Sequence, residues 1–364
     1  MKDEYSPYKV IHHTNRLNTL KAGNQIIPTQ IQLVISDKCN LNCSFCAYRN
    51  VGYTSSKNFG ETRLDGSVNQ NPNRRISYNK CVEIIDDCVY LGIKACQITG
   101  GGEPTVHPKH KEILEYVLEK GLELALVTNG VVMQTGMPEV LTKASWVRFS
   151  LDASNRESYK NIKGVDAFKK VNSNISKVVE AKKQKKSSVI IGIGFVVEKN
   201  NYQEIYDAAV LAKKLGVDNF RVSAAFMNDN LKYHLGHYKK AKALAARAQV
   251  DLEDDSFKVF NLFGDRLQDL IDEKPTYSFC GYMQFNTYIG GDLKVYTCCN
   301  NAYNDLGKVG SIKNKNFKDF WLSIDKIKIY NKFDARNCER CMFNNKNKFI
   351  NYCIKEDAKH INFV

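Results

Sequence analysis

Cys39, Cys43 and Cys46 stand within the run Cys39-Asn40-Leu41-Asn42-Cys43-Ser44-Phe45-Cys46, three thiols at spacings of four and three residues. Thiolates are soft ligands suited to zinc or iron–sulfur chemistry. A cubane 4Fe–4S cluster takes one thiolate per iron, so three from one loop leave an iron open, as a catalytic metal keeps a vacant position. Two alternatives stand beside this: a zinc site completed by a distant His, and cysteines that simply fill the interior. Asparagines between the thiols and the apolar run Ile31–Ile35 just before them put the triplet in a loop at a strand's end, which favours the cluster.

Four more thiols, Cys280, Cys298 and the pair Cys338-x-x-Cys341, could fold around one centre if a hairpin and a helix bring them together. From spacing alone zinc and an iron–sulfur cluster fit a four-Cys set equally. Adjacent residues on a strand point to opposite faces, so only one of Cys298 and Cys299 belongs to the set, and Cys298 is chosen. Cys353 is a possible substitute ligand. Cys81, Cys88 and Cys96, inside a helix and a strand, read as core.

Positioning these groups requires a scaffold, and the chain alternates short apolar runs with longer amphipathic ones. Strands are expected at Ile31–Ser36, Lys94–Thr99, Leu122–Thr128, Trp146–Leu151, Val189–Val197 and Asn219–Ala224, with helices at Tyr78–Leu91, Pro108–Lys120, Pro138–Lys143, Ala167–Lys183 and Asn201–Leu215. Such alternation predicts an α/β fold with parallel strands and right-handed crossovers, a partial (β/α)6 TIM-like barrel. Sites on such barrels lie at the C-terminal ends of the strands, where the three-Cys loop falls. Residues 1–30 read as an arm, 31–228 as the barrel, 49–75 as a Gly-, Asn- and Ser-rich insertion or lid, 229–277 as a helical linker with helices at Lys232–Val250 and Leu262–Asp272, and 278–364 as a small hairpin-plus-helix domain. Its hairpin is expected over Phe285–Tyr288 and Leu293–Thr297 around Gly290-Gly291-Asp292, with Phe317–Tyr330 helical.

With 364 residues the chain can bury a core without disulfides, and its twelve cysteines suit a reducing compartment. The N-terminal stretch is polar and no apolar run spans a bilayer, so a cytoplasmic protein without membrane attachment is expected. A net charge of +14 invites a phosphorylated substrate or nucleic acid. The excess is diffuse, however, and runs such as Lys182-Lys183-Gln184-Lys185-Lys186 read first as a solvated helix end.

The three-Cys loop, with Phe45 before its last Cys and Gly100-Gly101-Gly102-Glu103-Pro104 after the second strand, resembles the radical S-adenosylmethionine (SAM) superfamily over roughly residues 31–225. The resemblance implies SAM chelated to the open iron, reductive cleavage to a 5′-deoxyadenosyl radical, and hydrogen abstraction from a substrate. It implies contacts from Gly100, Gly101, Gly102 and Glu103 to the methionine end, Phe45 to adenine, and Ser150 and Asp152 to ribose, with Asn129 as a further polar contact. Arg221 is expected at the cofactor's carboxylate or at the substrate. Val189–Val197, ending in Glu198, is a loose form of the family's adenine-contacting strand. The C-terminal thiols resemble the shortened twitch form of a SPASM domain, which implies an auxiliary 4Fe–4S cluster. A low-potential donor such as flavodoxin or ferredoxin would supply electrons.

Three functions follow: a radical enzyme acting on a small, phosphate-, sugar- or nucleotide-bearing molecule; a maturase of a peptide or protein side chain; and a non-catalytic redox sensor. The first is preferred over the second because only about thirty residues precede the first strand, too few for a peptide-recognition domain. A sensor would have no use for the Gly-Gly-Glu-Pro element. The sequence singles out no catalytic acid or base.

Overall fold

The computed structural model describes residues 3–48, 73–227, 229–263, 267 and 274–355. Its core is a ten-stranded sheet in the order β10-β9-β8-β1-β2-β3-β4-β5-β6-β7. The strands are β1 (Gln30–Val34), β2 (Ala95–Thr99), β3 (Glu123–Thr128), β4 (Trp146–Ser150), β5 (Ile190–Val197), β6 (Asn219–Ala224), β7 (Lys258–Asn261), β8 (Asn286–Ile289), β9 (Lys294–Tyr296) and β10 (Lys308–Ser311). From β8 through β1 to β7 neighbours pair in parallel, while β8–β9 and β9–β10 are antiparallel. β7 and β10 are the two edges, so the barrel is not closed among the described residues.

Helices cross between the strands: α1 (Thr14–Lys21) precedes β1, and α2 (Tyr78–Leu91), α3 (His110–Glu119), α4 (Met137–Leu141), α5 (Arg156–Lys163), α6 (Phe168–Lys185), α7 (Ile205–Leu215), α8 (Asn230–Leu235) and α9 (Tyr238–Leu252) follow in order. Strand residues alternate between two environments, as the period of two requires. Ile31, Leu33, Cys96, Ile98, Val147 and Phe149 face the helices in one continuous core. Gln32, Gln97 and Arg148, one position out of phase, face the barrel interior, where Gln32 donates to Gln97 at 3.3 Å. Fully burying each large aliphatic side chain of that core contributes about 1.5–3 kcal/mol.

The strands and most helices fall where periodicity put them, and four differences have physical causes. α5 escaped notice because it is short and polar, although its caps were legible: the Asn155 side chain accepts from the Ser158 amide at 3.0 Å, and Gly164 closes the end at φ 70°. The region taken as a helical linker contributes β7, whose four residues are too few to show alternation. The helix expected over Lys232–Val250 is two, broken at Gly236-His237, and that over Phe317–Tyr330 is also two, because Ser323 caps the second. The expected hairpin is present, but β8 pairs in parallel with β1 from Gln30 to Leu33, so the C-terminal segment extends the barrel's own sheet. The helix expected at Leu262–Asp272 and the insertion expected at 49–75 lie largely outside the described residues.

No helix among the described residues is long and apolar enough to cross a membrane.

Candidate functional site

The three-Cys loop leaves β1 through Ile35, Ser36, Asp37 and Lys38 and is held from several sides. Next to its start lies Gly102: a Cβ there would sit 2.3 Å from the Asp37 carbonyl carbon and from the Asp37 and Lys38 oxygens, so only glycine permits the approach. The Glu103 amide then donates to the Lys38 carbonyl at 2.9 Å. On the far side the Asn42 and Ser44 amides donate to the Lys163 and Ile162 carbonyls, each at 2.9 Å, using acceptors left open at the end of α5. Gly164 makes room for this contact, since a Cβ there would lie 3.1 Å from the Asn42 Cβ. Side chains complete the frame: Asn129 Nδ2 donates to Asn40 Oδ1 at 2.7 Å and Ser44 Oγ to Glu198 Oε2 at 2.9 Å. The loop is thereby tied to the C-terminal ends of β3 and β5 as well as to α5.

Cys39, Cys43 and Cys46 are half-buried and outside any disulfide. Burial pushes the Cys39 thiol up to about 12, with Glu103, Cys43 and Cys46 adding negative neighbours. Three thiols of one partly buried loop would need a cationic partner to ionise together.

The expected cofactor residues separate into two kinds. Gly100 and Gly102 are required by close packing, since a Cβ on Gly100 would meet the Gly102 oxygen at 2.0 Å. Gly101 is buried between them, and Ser150 ends β4 opposite Gly194. Phe45 lies with the Lys163 ammonium 5.2 Å from its ring centroid. Glu103 and Asp152, by contrast, are committed inside the protein. Glu103 Oε1 accepts from the Thr105 amide at 3.0 Å, Thr105 Oγ1 at 2.7 Å and Thr128 Oγ1 at 2.6 Å, and Oε2 accepts from the Asn129 amide at 2.7 Å. That carboxylate staples the end of β2 to the end of β3. Asp152 is fully buried at φ 61°; Oδ2 pairs with Lys163 Nζ and Oδ1 accepts from the Val196 amide at 2.6 Å. Each of its oxygens thus has a partner inside the protein, behind the cysteine loop. Arg221, on the inner face of β6, has its guanidinium 5.7 Å from the Tyr5 ring centroid, away from the strand mouths.

The second thiol set gathers after β9. The Cys280 thiol is pushed up to about 12 by burial, then by Cys341 and Cys338, and that of Cys298 is raised by burial, then by Cys299, Cys280 and Cys338. Asn347 stands between two of the expected thiols, its Oδ1 3.6 Å from Cys280 Sγ and its Nδ2 3.5 Å from Cys341 Sγ. Amide groups point at their sulfurs: Asn301 Nδ2 at 3.2 Å from Cys338 Sγ, the Phe343 amide at 3.4 Å and Asn347 Nδ2 at 3.5 Å from Cys341 Sγ. Donors of this kind tune cluster-bound thiolates. Cys299 turns the other way, with Sγ 4.0 Å from Met342 Sδ and its flank against a cluster of Tyr288, Tyr296 and Tyr303 that also takes in Tyr48. Cys353 packs with Leu17, Leu20 and Phe285, and Cys81, Cys88 and Cys96 are core. No three or more His, Cys, Asp or Glu side chains among the described residues are grouped as a single-ion site.

Residues 33–209 match the radical SAM superfamily. That segment belongs to the superfamily. SAM and a 4Fe–4S cluster are the cofactors of such domains, and the three-Cys loop at the mouth of β1 fits them. The chain is 29% identical over 189 residues to a probable GTP 3′,8-cyclase of Pyrococcus abyssi, covering 51% of this chain and 54% of that one. It is 30% identical over 198 residues to an AdoMet-dependent heme synthase of Methanosarcina barkeri, covering 54% and 50%. This chain thus spans about half the length of these curated relatives. The radical SAM fold extends further: the structure of Streptococcus suis SuiB bound to its precursor peptide SuiA superposes with a TM-score of 0.63 at 16% identity over 97% of this chain and 79% of that one.

Several residues of the radical SAM site were not legible as such. Asn40 and Asn301 act through Asn129 and Cys338, 89 and 37 positions away, and Lys163 and Asn347 through Asp152 and Cys341, 11 and 6 positions away; nothing in their local pattern separates them from surface residues. Glu198 carried one signal, its place at the end of β5. It is 2% exposed, and its Oε1 has no hydrogen-bond partner among the described residues.

Proposed function

We propose that this radical SAM enzyme holds a 4Fe–4S cluster on Cys39, Cys43 and Cys46 and an auxiliary cluster on Cys280, Cys298, Cys338 and Cys341, and that it acts on a small molecule bound inside the barrel. The observation that carries this reading is the placement of a three-thiol loop against Gly102 at the strand mouth while a separate four-thiol set has amide donors aimed at its sulfurs. When bound, the first cluster supplies the electron that cleaves SAM. The chain's part is to fix the geometry: Gly100–Gly102 admit the methionine end of SAM beside the loop, Ser150 offers a hydroxyl toward the ribose, and Asn129 holds Asn40 and hence the loop. Glu103, Asp152 and Lys163 keep strand ends and loop rigid, the supporting shell that a radical site requires.

A peptide substrate is the second reading, supported by likeness in fold over nearly the whole chain to SuiB, a protein whose solved structure holds a precursor peptide.

The test is anaerobic reconstitution followed by iron and acid-labile sulfide analysis and incubation with dithionite and SAM. About eight irons per chain are expected, falling to about four in Cys338→Ala, with 5′-deoxyadenosine formed by the wild type and none by Cys43→Ala. A wild type that holds about four irons or fewer, or a Cys43→Ala protein that still cleaves SAM, overturns the assignment.

A further inference from the structure

Both ends of the three-Cys loop are held by the C-terminal segment. Asp37, two positions before Cys39, is fully buried; its Oδ1 accepts from the Tyr303 hydroxyl and its Oδ2 pairs with Arg74 Nε at 2.7 Å. The Gly291 amide donates to the same Tyr303 hydroxyl at 3.1 Å, and a Cβ on Gly291 would lie 2.7 Å from the Asp37 carboxyl carbon. The turn between β8 and β9 is therefore packed directly on that carboxylate. Tyr48, two positions after Cys46, shares a hydrogen bond of 3.0 Å with the Tyr288 hydroxyl and meets the Tyr303 ring edge-on, 6.1 Å between centroids. Tyr303 and Tyr288 thus grip the chain before the first thiol of the loop and after its last.

The same stretch of chain carries the second thiol set. Between Cys298 and Tyr303 stand Asn300, whose Nδ2 donates to the Arg340 carbonyl at 3.2 Å, and Asn301, whose Nδ2 donates to Cys338 Sγ at 3.2 Å. Residues 298–303 therefore join one auxiliary thiol, a donor to another, and the hydroxyl that rests on Asp37. Tyr303 reaches Asp37 from a left-handed backbone, φ 58°, which a residue with a Cβ adopts only at a cost. Such strain persists where the surroundings fix the residue, and Tyr303 is 2% exposed within the cluster of Tyr288, Tyr296 and Tyr48. The Asp37 main chain lies in turn against Gly102, so a shift of this residue is passed to the glycine run as well as to the loop.

We propose that Tyr303 is a positioning residue that ties the three-Cys loop to the auxiliary thiol segment through Asp37, so that disorder at the auxiliary thiols loosens the first cluster. The hydroxyl is the joint: it donates to a buried carboxylate on one side and accepts from the hairpin turn on the other, and a buried network of this kind transmits the loss of any one member. An ordered 298–303 segment then keeps Asp37, and with it the path into Cys39, in place. The tie stands on the contacts above; its consequence for iron rests on the two-cluster reading of the proposed function, and the two can fail separately.

The experiment uses the anaerobically reconstituted full chain and two readouts. Hydrogen exchange over residues 36–46 reports the loop, and the part of the electron paramagnetic resonance spectrum that shifts on adding SAM reports the first cluster as a chelator removes iron. Tyr303→Phe removes one hydroxyl and keeps the ring. Exchange over 36–46 and decay of the SAM-sensitive signal should each quicken about tenfold, while the iron content before chelation stays at about eight per chain. Cys338→Ala should quicken decay of that signal in the wild-type background but by less than about twofold beside Tyr303→Phe, the non-additivity of a shared path; a merely structural role gives independent losses. Tyr90→Phe, at an exposed position of α2, should change neither readout. Thermal midpoints check folding. If Tyr303→Phe does not fold, Asp37→Asn carries the test, since it keeps an acceptor for the Tyr303 hydroxyl and gives up the charge facing Arg74; it should quicken both readouts. Unchanged exchange over 36–46 in the variant that folds, or equal effects of Cys338→Ala in the two backgrounds, overturns the proposal. A wild type with about four irons or fewer removes the two-cluster reading, and exchange over 36–46 then decides the tie alone.

Discussion

Replacing Asp152 by Asn tests whether the cysteine loop depends on the buried charge pair behind it. Both side chains are buried, at 1% and 2% exposure for Asp152 and Lys163. Burial disfavours the Lys163 ammonium, and the nearby charges of Asp152 and Cys43 together with the hydrogen bond to Asp152 outweigh it, so Lys163 is held charged. Asn keeps the shape and can still accept from the Val196 amide, but it leaves the ammonium without its counter-charge. Breaking one partner of a buried pair costs about 3–5 kcal/mol, a large share of the roughly 5–15 kcal/mol that holds a domain together. The loss falls at the end of α5, whose Ile162 and Lys163 carbonyls carry the Ser44 and Asn42 amides. The expected result is a thermal midpoint lowered by roughly 10 °C, together with faster loss of iron to a chelator. Adding Lys163→Met removes the stranded charge and should restore most of the midpoint. Arg156→Gln, which breaks the exposed bridge to Asp166, should leave both readouts unchanged. An Asp152→Asn protein with wild-type midpoint and iron retention, or a double variant no better than the single one, refutes the reasoning.

Two other outcomes follow from the same structure. Gly102→Ala drives a methyl into main-chain atoms of Asp37 and Lys38 that have no side-chain freedom to yield, so SAM affinity and iron retention should both fall. Gly121→Ala, at φ 75° with nothing within 4 Å, should cost only its backbone strain, about 1–2 kcal/mol, and keep the iron; equal iron loss in the two would count against the packing argument. His234 is buried, shares a hydrogen bond of 3.0 Å with His237 and has Tyr233 edge-on, and burial lowers it to about 4. Its folded value lies below its unfolded one, so its contribution is present above pH 6.5 and drains away as pH falls toward 4. Stability should drop by about 1–2 kcal/mol between pH 7.5 and 5, and His234→Gln should flatten that slope in urea unfolding at the two pH values.

Periodicity of two and of 3.6 is a local property, and it sufficed for β1–β6 and the longer helices because each buries one face against the next layer. It did not suffice for β7, whose four residues acquire strand geometry by pairing with β6, nor for the meeting of β8 with β1, which joins residues more than two hundred and fifty positions apart. Local chemistry likewise singled out the thiols, but it held no signal of where two carboxylates direct their oxygens. Glu103 and Asp152 occupy the places expected of cofactor ligands, yet their oxygens are taken by Thr105, Thr128 and Asn129 in one case and by Lys163 and Val196 in the other.

What the sequence by itself determined is the chemistry available: three thiols in one loop, four more in a separable set, and glycines beside an acidic residue at the end of a strand. Ligand type and loop spacing are set by covalent neighbours, and no folding is needed to read them. Tertiary structure decided which polar groups remain available. A carboxylate's hydrogen-bond capacity is filled by whichever donors the fold brings near, and these lie on other strands. It also decided that Arg148 and Arg221, seventy-three positions apart, flank the same two glycines of β5, because parallel pairing in register with Gly192 and Gly194 alone sets them there.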